Sequence, residues 1–535
     1  MKDRTEKMIS CLYGAGNYVV KIVGSFIFLL LTWYSLRYTY YMKPGGEIIP
    51  VNMEDSMLWN LLGLAAAFGV LILLEMLEKR TNGKVHIILR RASLYMAVLW
   101  VGVAGFWWIF SADRVPEGDQ AFIYGAASYF IEGNYEHLSG PGAYCGIFPY
   151  QLGLIVLVEL LFVVVGTYNY YAFEYLCAVL AMGIVYLGYR IVSELTDHTA
   201  TVVAYNLLMM GCLPLIFYTS WVYGDVPGVF FTLLAGWMLL KYCKGEKRRY
   251  LVVIVCALVF SMLVRIHSLI LLVALGIAAV LYALKRKDLK IVLAFLLTVV
   301  LTYGTYQGIY KIYEIRSGYE HYDGIPIVTC IAMGMQESNE SYGWYNDYPK
   351  QVAWENEYDY DRTVAAAMEN LRERLQFFRE NPDYANLFFR EKILSQWNDP
   401  LYQSLYYNTR YREELKPDAG SLAARLSGDL HFVVVFVSDR IQFIVFFGML
   451  CYFFFLVKKD SNILQHVFAI TIIGGFLFSV IYEAMGRYIF PYYVMMFPFA
   501  VYGSEQAVKK AGAALQKACR YLGSRKSSKQ SPTGR

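Results

Sequence analysis

The residues able to do chemistry stand where apolar runs end. Asp119 lies in ADRVPEGDQAFIYGAASYFIEGNY, a polar and acidic loop that leaves a hydrophobic segment and opens into an amphipathic helix. A carboxylate so placed can take a proton from a hydroxyl. Asp225, in YTSWVYGDVPG, is a second acid at a helix start. Arg265 and His267 in LVRIHSL, and Glu483, Arg487 and Tyr488 in YEAMGRYIFPYY, also sit between apolar runs. A guanidinium presents planar donors that match phosphate oxygens. One base and two cationic grips are what group transfer from a phosphate-linked donor requires.

Each residue also has a plainer use. An aspartate before a helical pattern is a preferred N-cap, and Asp225 beside Pro227 reads the same way. Arg265 and His267 can snorkel to lipid headgroups, and Glu483 can simply pair with Arg487. Loop acids such as Asp113 and Glu117 are usually solvated. Tyr124 falls on the polar side of the helix after Asp119, with Gln120, Ser128 and Glu132, opposite Phe122, Ile123, Ala126, Ala127, Phe130 and Ile131. That pattern predicts a helix along the membrane surface, stopped by Gly133. Trp344 in GWYND, with Lys392 and Trp397 in KILSQWNDP, offers aromatic faces and an ammonium to a sugar, or core packing.

What positions these residues is a membrane. Over 535 residues, 57% are hydrophobic and 17% charged, with a mean hydropathy of +0.38. Apolar runs of about 18 to 25 residues recur, which excludes a soluble enzyme of this size. Twelve spans are predicted, near 17–39, 57–78, 88–110, 170–190, 199–218, 226–243, 250–264, 267–284, 290–311, 432–456, 463–482 and 488–504. The first helix reads as an anchor, since no small-residue cleavage site follows it. Basic clusters at 79–91, 241–249, 285–290, 458–459 and along the tail from Lys509 mark cytoplasmic segments. They are short and separated by spans, which argues against nucleic-acid binding.

One further apolar run, FPYQLGLIVLVELLFVVVG at 148–166, upsets this parity if it crosses. Read as a re-entrant or interfacial helix it returns every basic cluster to the cytoplasm, and Glu159 in its middle suits packing on protein. Both termini are then cytoplasmic, and the four polar features share the outer face. The expected architecture is all-α and polytopic: an amino-terminal pair of spans (1–85), a membrane module (86–311) with an external loop at 111–147, an extracytoplasmic, mainly α domain (312–430), carboxyl-terminal spans (431–505) and a basic tail (506–535). In the extracytoplasmic domain Asn381 is the expected cap of a helix begun by Pro382. The polar end SRKSSKQSPTGR is expected to be disordered. Of nine cysteines most lie in apolar runs; Cys145 and Cys330 lie in polar loops and either pair or stand apart.

The aspartate, the tyrosine after it, the small residues and the Gly-Asn-Tyr stop following a hydrophobic span resemble the first external loop of GT-C glycosyltransferases. The likeness is to the bacterial relatives of protein O-mannosyltransferases and of the lipid A aminoarabinose transferase. FPYQLGL, YGDVP, VRIHSLILLVA and RYIFPYY continue it over roughly 88–311 and 432–504. The resemblance implies that Asp119 belongs to the acceptor site and catalysis, that Asp225 is the second acidic position, and that the product is inverted. Two extra leading spans, and Gln120 where a second acid would stand, depart from the pattern and leave use of a divalent cation open.

The function expected is transfer of a sugar from a polyprenyl-phosphate donor to a glycan, lipid or protein acceptor at the outer face of the bilayer. Two other classes stay open: a lipid or polysaccharide transporter, whose site would lie at mid-membrane on broken helices, and a non-catalytic assembly subunit. Most charges gather at span ends, with Glu159, Glu174 and Asp439 as exceptions.

Overall fold

The computed structural model describes residues 2–42, 50–245, 247–407 and 422–528. In chain order its helices include α1 (Lys2–Arg37), α2 (Met57–Arg80), α3 (Gly83–Ala112), α4 (Asp119–Ile131), α5 (Leu152–Val165), α6 (Tyr170–Leu195), α7 (Thr199–Met210), α8 (Asp225–Gly245) and α9 (Arg248–Val264). There follow α10 (Leu269–Arg286), α11 (Lys290–Ser317), α12 (Ile327–Met333), α13 (Tyr348–Glu355), α14 (Tyr360–Glu380), α15 (Pro382–Trp397), α16 (His431–Phe455), α17 (Val467–Ile481) and α18 (Gly486–Ser528). The chain is an all-α polytopic membrane protein. Among the described residues nine helices are long and apolar enough to cross a bilayer, or ten if the bent pair Thr199–Met210 and Leu213–Ser220 is one span. In hydrocarbon every backbone group must be satisfied within its own segment, which is why apolar runs of this length are helical.

The basic clusters gather at one end of the bundle. There Arg90 donates to the Asp197 carbonyl (2.6 Å), Lys244 pairs with Glu194 (2.9 Å), and Lys285 covers the Tyr13 ring (3.9 Å). Asn17 donates to the Lys459 carbonyl (2.9 Å). The opposite end carries a small head domain of α12 to α15.

Helix α5 begins and ends at the head end. Gln151, just before it, donates to the Tyr223 hydroxyl. Just after it, the Tyr168 N–H donates to Ser128 Oγ (3.0 Å) and Tyr171 to Asp113 (2.5 Å). It therefore lies across that end of the bundle and does not span it. Glu159 fastens it, accepting from Tyr313 (2.5 Å) and pairing with Arg316 (2.7 Å) at the end of α11.

Three features depart from the sequence expectations. β1 (Tyr38–Met42) pairs antiparallel with β2 (Pro50–Glu54), with Tyr40 opposite Asn52. This pair fell outside the pattern because its flanks are transmembrane helices. Asn381 precedes α15 without capping it, its amide donating back to the Phe377 carbonyl (3.0 Å). The tail stays helical to Ser528; the rest of the stretch expected to be disordered, 529–535, lies outside the described residues, as does 408–421 of the head-domain range.

Asp439 serves packing. Arg440 pairs with Asp439 (2.8 Å) and with Asp55 ahead of α2 (2.8 Å), its guanidinium over the Phe436 ring (3.9 Å). Asn60 of α2 adds a bond to Asp55 (2.6 Å). Removing the cation from a buried cluster strands its carboxylates. Arg440→Ala is expected to cost about 3 to 5 kcal/mol, read as a lower thermal midpoint in detergent, whereas a surface change such as Arg372→Ala leaves the midpoint in place.

Candidate active site

A cavity of about 220 Å³ opens at the head end. Arg265, His267, Arg487 and Tyr488 form its deep wall, Asp119 and Glu483 stand beside them, and Tyr144, Phe148 and Gln151 line one side. Tyr345, Pro349 and Lys350 of the head domain close over it. The first external loop, the α9–α10 junction and the start of the last helix thus meet in one place.

Two close backbone approaches bring this about. A Cβ on Gly224 would lie 1.8 Å from the Val264 carbonyl oxygen, and one on Gly153 would lie 2.4 Å from that of Leu263. Only glycine lets the Tyr223–Asp225 turn and the start of α5 rest on the last turn of α9. Arg265 then leaves that turn beside Asp225, whose carboxylate is fully buried and accepts from the Trp221 indole (3.2 Å). The Arg265–Asp225 pair closes to 3.0 Å. Its atoms are off the hydrogen-bond line, so Asp225 Oδ1 and Arg265 Nη2 and Nε keep bonding capacity. Asp225 faces Arg265 from behind and does not line the main cavity.

The guanidiniums share an aromatic seat. Arg265 lies over Tyr223 (4.8 Å) and Tyr488 (5.6 Å), and Arg487 over Tyr223 (5.1 Å), Tyr488 (5.4 Å) and Trp221 (5.4 Å). Cations held on ring faces are stabilised without losing their in-plane donors. His267 stacks on Tyr488 (4.8 Å). The Arg487 N–H is held by Gln403 (3.2 Å).

Asp119 is not the helix cap. Gly118, at φ +59°, takes that position, and Asp119 is the first helical residue. Its carboxylate is 43% exposed and faces Arg487 Nη2 at 3.7 Å. Gln120 Oε1 accepts from the Val222 N–H (2.8 Å), tying the start of α4 to the turn that holds Asp225. The expected surface helix is corrected by the same bonds. Gln120 and Ser128 are buried against the 222 and 168 segments, and Ile123, Ala126, Ala127 and Phe130 are buried as well, so α4 packs on protein with both faces and leaves Phe122 exposed.

The other expected residues fall elsewhere. Glu117 is half-buried in the preceding loop, and Tyr124 packs on Tyr170 (5.6 Å) on the far side of α4. Trp344 is buried and donates to Ser395 (3.0 Å), Lys392 donates to the Gly334 carbonyl, and Trp397 donates to Ser479 (2.8 Å). These three do not line the cavity. They join the head domain to the end of α17, where the Ala484 N–H donates to the Gly343 carbonyl (2.7 Å). Their part is to hold the 482–487 loop. Cys145 and Cys330 are both free.

Tyr144, Gln151, Tyr223, Tyr345 and Lys350 were not legible beforehand. Tyr223 had a signal in YGDVP, next to the acid that was singled out; Lys350 had none.

Burial pushes the Glu483 carboxyl up to about 7, against the pull of Arg487 and Tyr488, with Asp119 adding to the rise. Burial also pushes Tyr223 up to about 12, chiefly by desolvation, with Asp119 adding to it. Among the described residues no three His, Cys, Asp or Glu side chains converge as metal ligands. Asp119 faces Arg487, and Glu483 is drawn on by the same guanidinium. This donor set does not fit a divalent ion.

No protein-family model and no curated protein matches the chain.

Two outcomes follow from this geometry. Glu483 is charged above about pH 7 and neutral below it. A bound phosphate monoester is therefore expected to tighten as pH falls from 8 to 6, and Glu483→Gln to flatten that profile, as read by equilibrium binding. Trp397→Ala is expected to cost about 3 to 5 kcal/mol of stability through its cavity, measured by thermal unfolding.

Proposed function

We propose that the protein is an integral membrane glycosyltransferase of GT-C type that moves a sugar from a polyprenyl-phosphate donor to a glycan, lipid or protein acceptor. The observation that carries this reading is one cavity holding a half-exposed carboxylate, Asp119, opposite two buried guanidiniums, Arg265 and Arg487. The reaction is extracytoplasmic in this reading, with both termini cytoplasmic. Twelve spans result if α9, α18 and the bent pair are counted with the nine, and the basic end then faces the cytoplasm.

The chemistry assigns one task to each group. Asp119 takes the proton from an acceptor hydroxyl as its oxygen attacks the anomeric carbon. The carbon–oxygen bond to phosphate breaks, its electron pair leaves with the phosphate, and Arg265 and Arg487 stabilise the added charge. Attack opposite the leaving group inverts the anomeric centre. Asp225 is a positioning residue that aims Arg265. The acceptor enters on the side of Tyr345 and Lys350, away from the deep arginine wall. A transport reading draws less support from Glu159 and Asp439, both held in ion pairs, and rests on Glu174, buried in α6 with Oε1 lacking a hydrogen-bond partner.

Purified protein incubated with a panel of polyprenyl-phosphate sugars tests this. Transfer is expected for the wild type, and Asp119→Asn is expected to lower kcat about 10²- to 10⁴-fold while lipid-phosphate binding persists. Transfer that survives Asp119→Asn removes the base, and no transfer with any donor sinks the enzyme. Asp225→Asn is expected to raise KM for the donor more than it lowers kcat, because it loosens Arg265 without touching the acceptor.

A further inference from the structure

A second cationic site lies at the other end of the bundle, between α6, α8 and α9. Arg190 of α6 lies over the Trp237 ring of α8 (4.8 Å) and over Tyr186 (6.0 Å). Lys241, one turn on from Trp237, covers the same indole (5.7 Å) and Tyr250 (5.9 Å), and Arg249 lies over Tyr250 (5.2 Å). Three cations thus share one aromatic floor. Among the described residues the acid beside them is Glu194, which pairs with Lys244 at 2.9 Å and lies 3.9 Å from Lys241.

Two buried donors here have no acceptor: Arg190 Nε and Trp237 Nε1. A buried N–H without a partner is costly, and the charged groups nearest these two donors, Lys241 and Arg249, are cations. The missing partner is therefore an acceptor-only, anionic group. The cluster opens sideways toward lipid, since Tyr186 is 39% exposed and Val179, two turns along the same face, is 53% exposed. A phosphate on a lipid can meet this cluster at the end of α6 with its chains along that exposed face. A planar guanidinium on an indole is well suited to hold it.

We infer that Arg190, Trp237 and Lys241 form a binding site for the phosphate headgroup of an anionic phospholipid at the basic end of the bundle. Its occupancy is independent of the cavity at the head end. It would fix the ends of α6 and α8 relative to the bilayer, and α8 begins at Asp225.

Native mass spectrometry of the full-length protein in detergent, titrated with phosphatidylglycerol or phosphatidylcholine, tests the site. Wild type is expected to retain phosphatidylglycerol preferentially, and Arg190→Gln to weaken that retention about tenfold. Lys241→Gln provides a second reading should Arg190→Gln fail to fold, and is expected to weaken it in the same direction. Retention unchanged in both variants overturns the site. Displacement of the lipid by inorganic phosphate at millimolar concentration overturns the lipid assignment.

Discussion

The Arg265–Asp225 ion pair is the contact on which the head end of the bundle depends. Neither charge reaches water freely, so each is tolerable only with the other nearby. Asp225 starts α8 and Arg265 ends α9, and the pair fixes the relative height of two helices that also pack along their length. The tyrosines on either side, Tyr223 and Tyr488, then belong to both guanidiniums, which carries the constraint across to α18.

Around that pair the molecule separates support from chemistry. The head domain sends indoles and an ammonium inward to hold the 482–487 loop, and leaves Tyr345 and Lys350 on the cavity. Glu159 fastens α5, and Arg440 fastens α2, at sites remote from the arginine wall. Glu159, Asp439 and Arg440 therefore have structural explanations in this fold, whereas Glu174, buried in α6 with Oε1 lacking a hydrogen-bond partner, has none. Those on the cavity, Asp119 and Glu483, are instead drawn to Arg487, the one at 3.7 Å and half-exposed, the other buried beside Tyr488.

Much of this was readable from residues alone. The apolar runs located the long helices, and charge parity singled out the 148–166 run, whose helix α5 is too short to count among the nine. Asp119, Arg265, His267, Arg487 and Tyr488 were legible because charge and aromatic residues at span ends are conspicuous. Trp344, Lys392 and Trp397 misled for the same reason: an exposed-looking aromatic in a polar stretch has the same letters as a buried one. Asp225 looked like a second working acid, and burial by Trp221 and Arg265 is a fact of packing that spacing does not encode. The β1–β2 pair and Lys350 required the fold itself.

Asp119 is made early in synthesis and Arg487 late, with most of the spanning helices between them. A ribosome that has released only the first helices into the membrane has produced an aspartate facing no guanidinium, on a helix whose Gln120 and Ser128 rely on segments that follow. The completed site thus appears only when α18 inserts. A chain cut before α18 keeps the Arg265–Asp225 pair but leaves Asp119 without Arg487, so the cavity's second charge contact belongs only to a chain that includes α18.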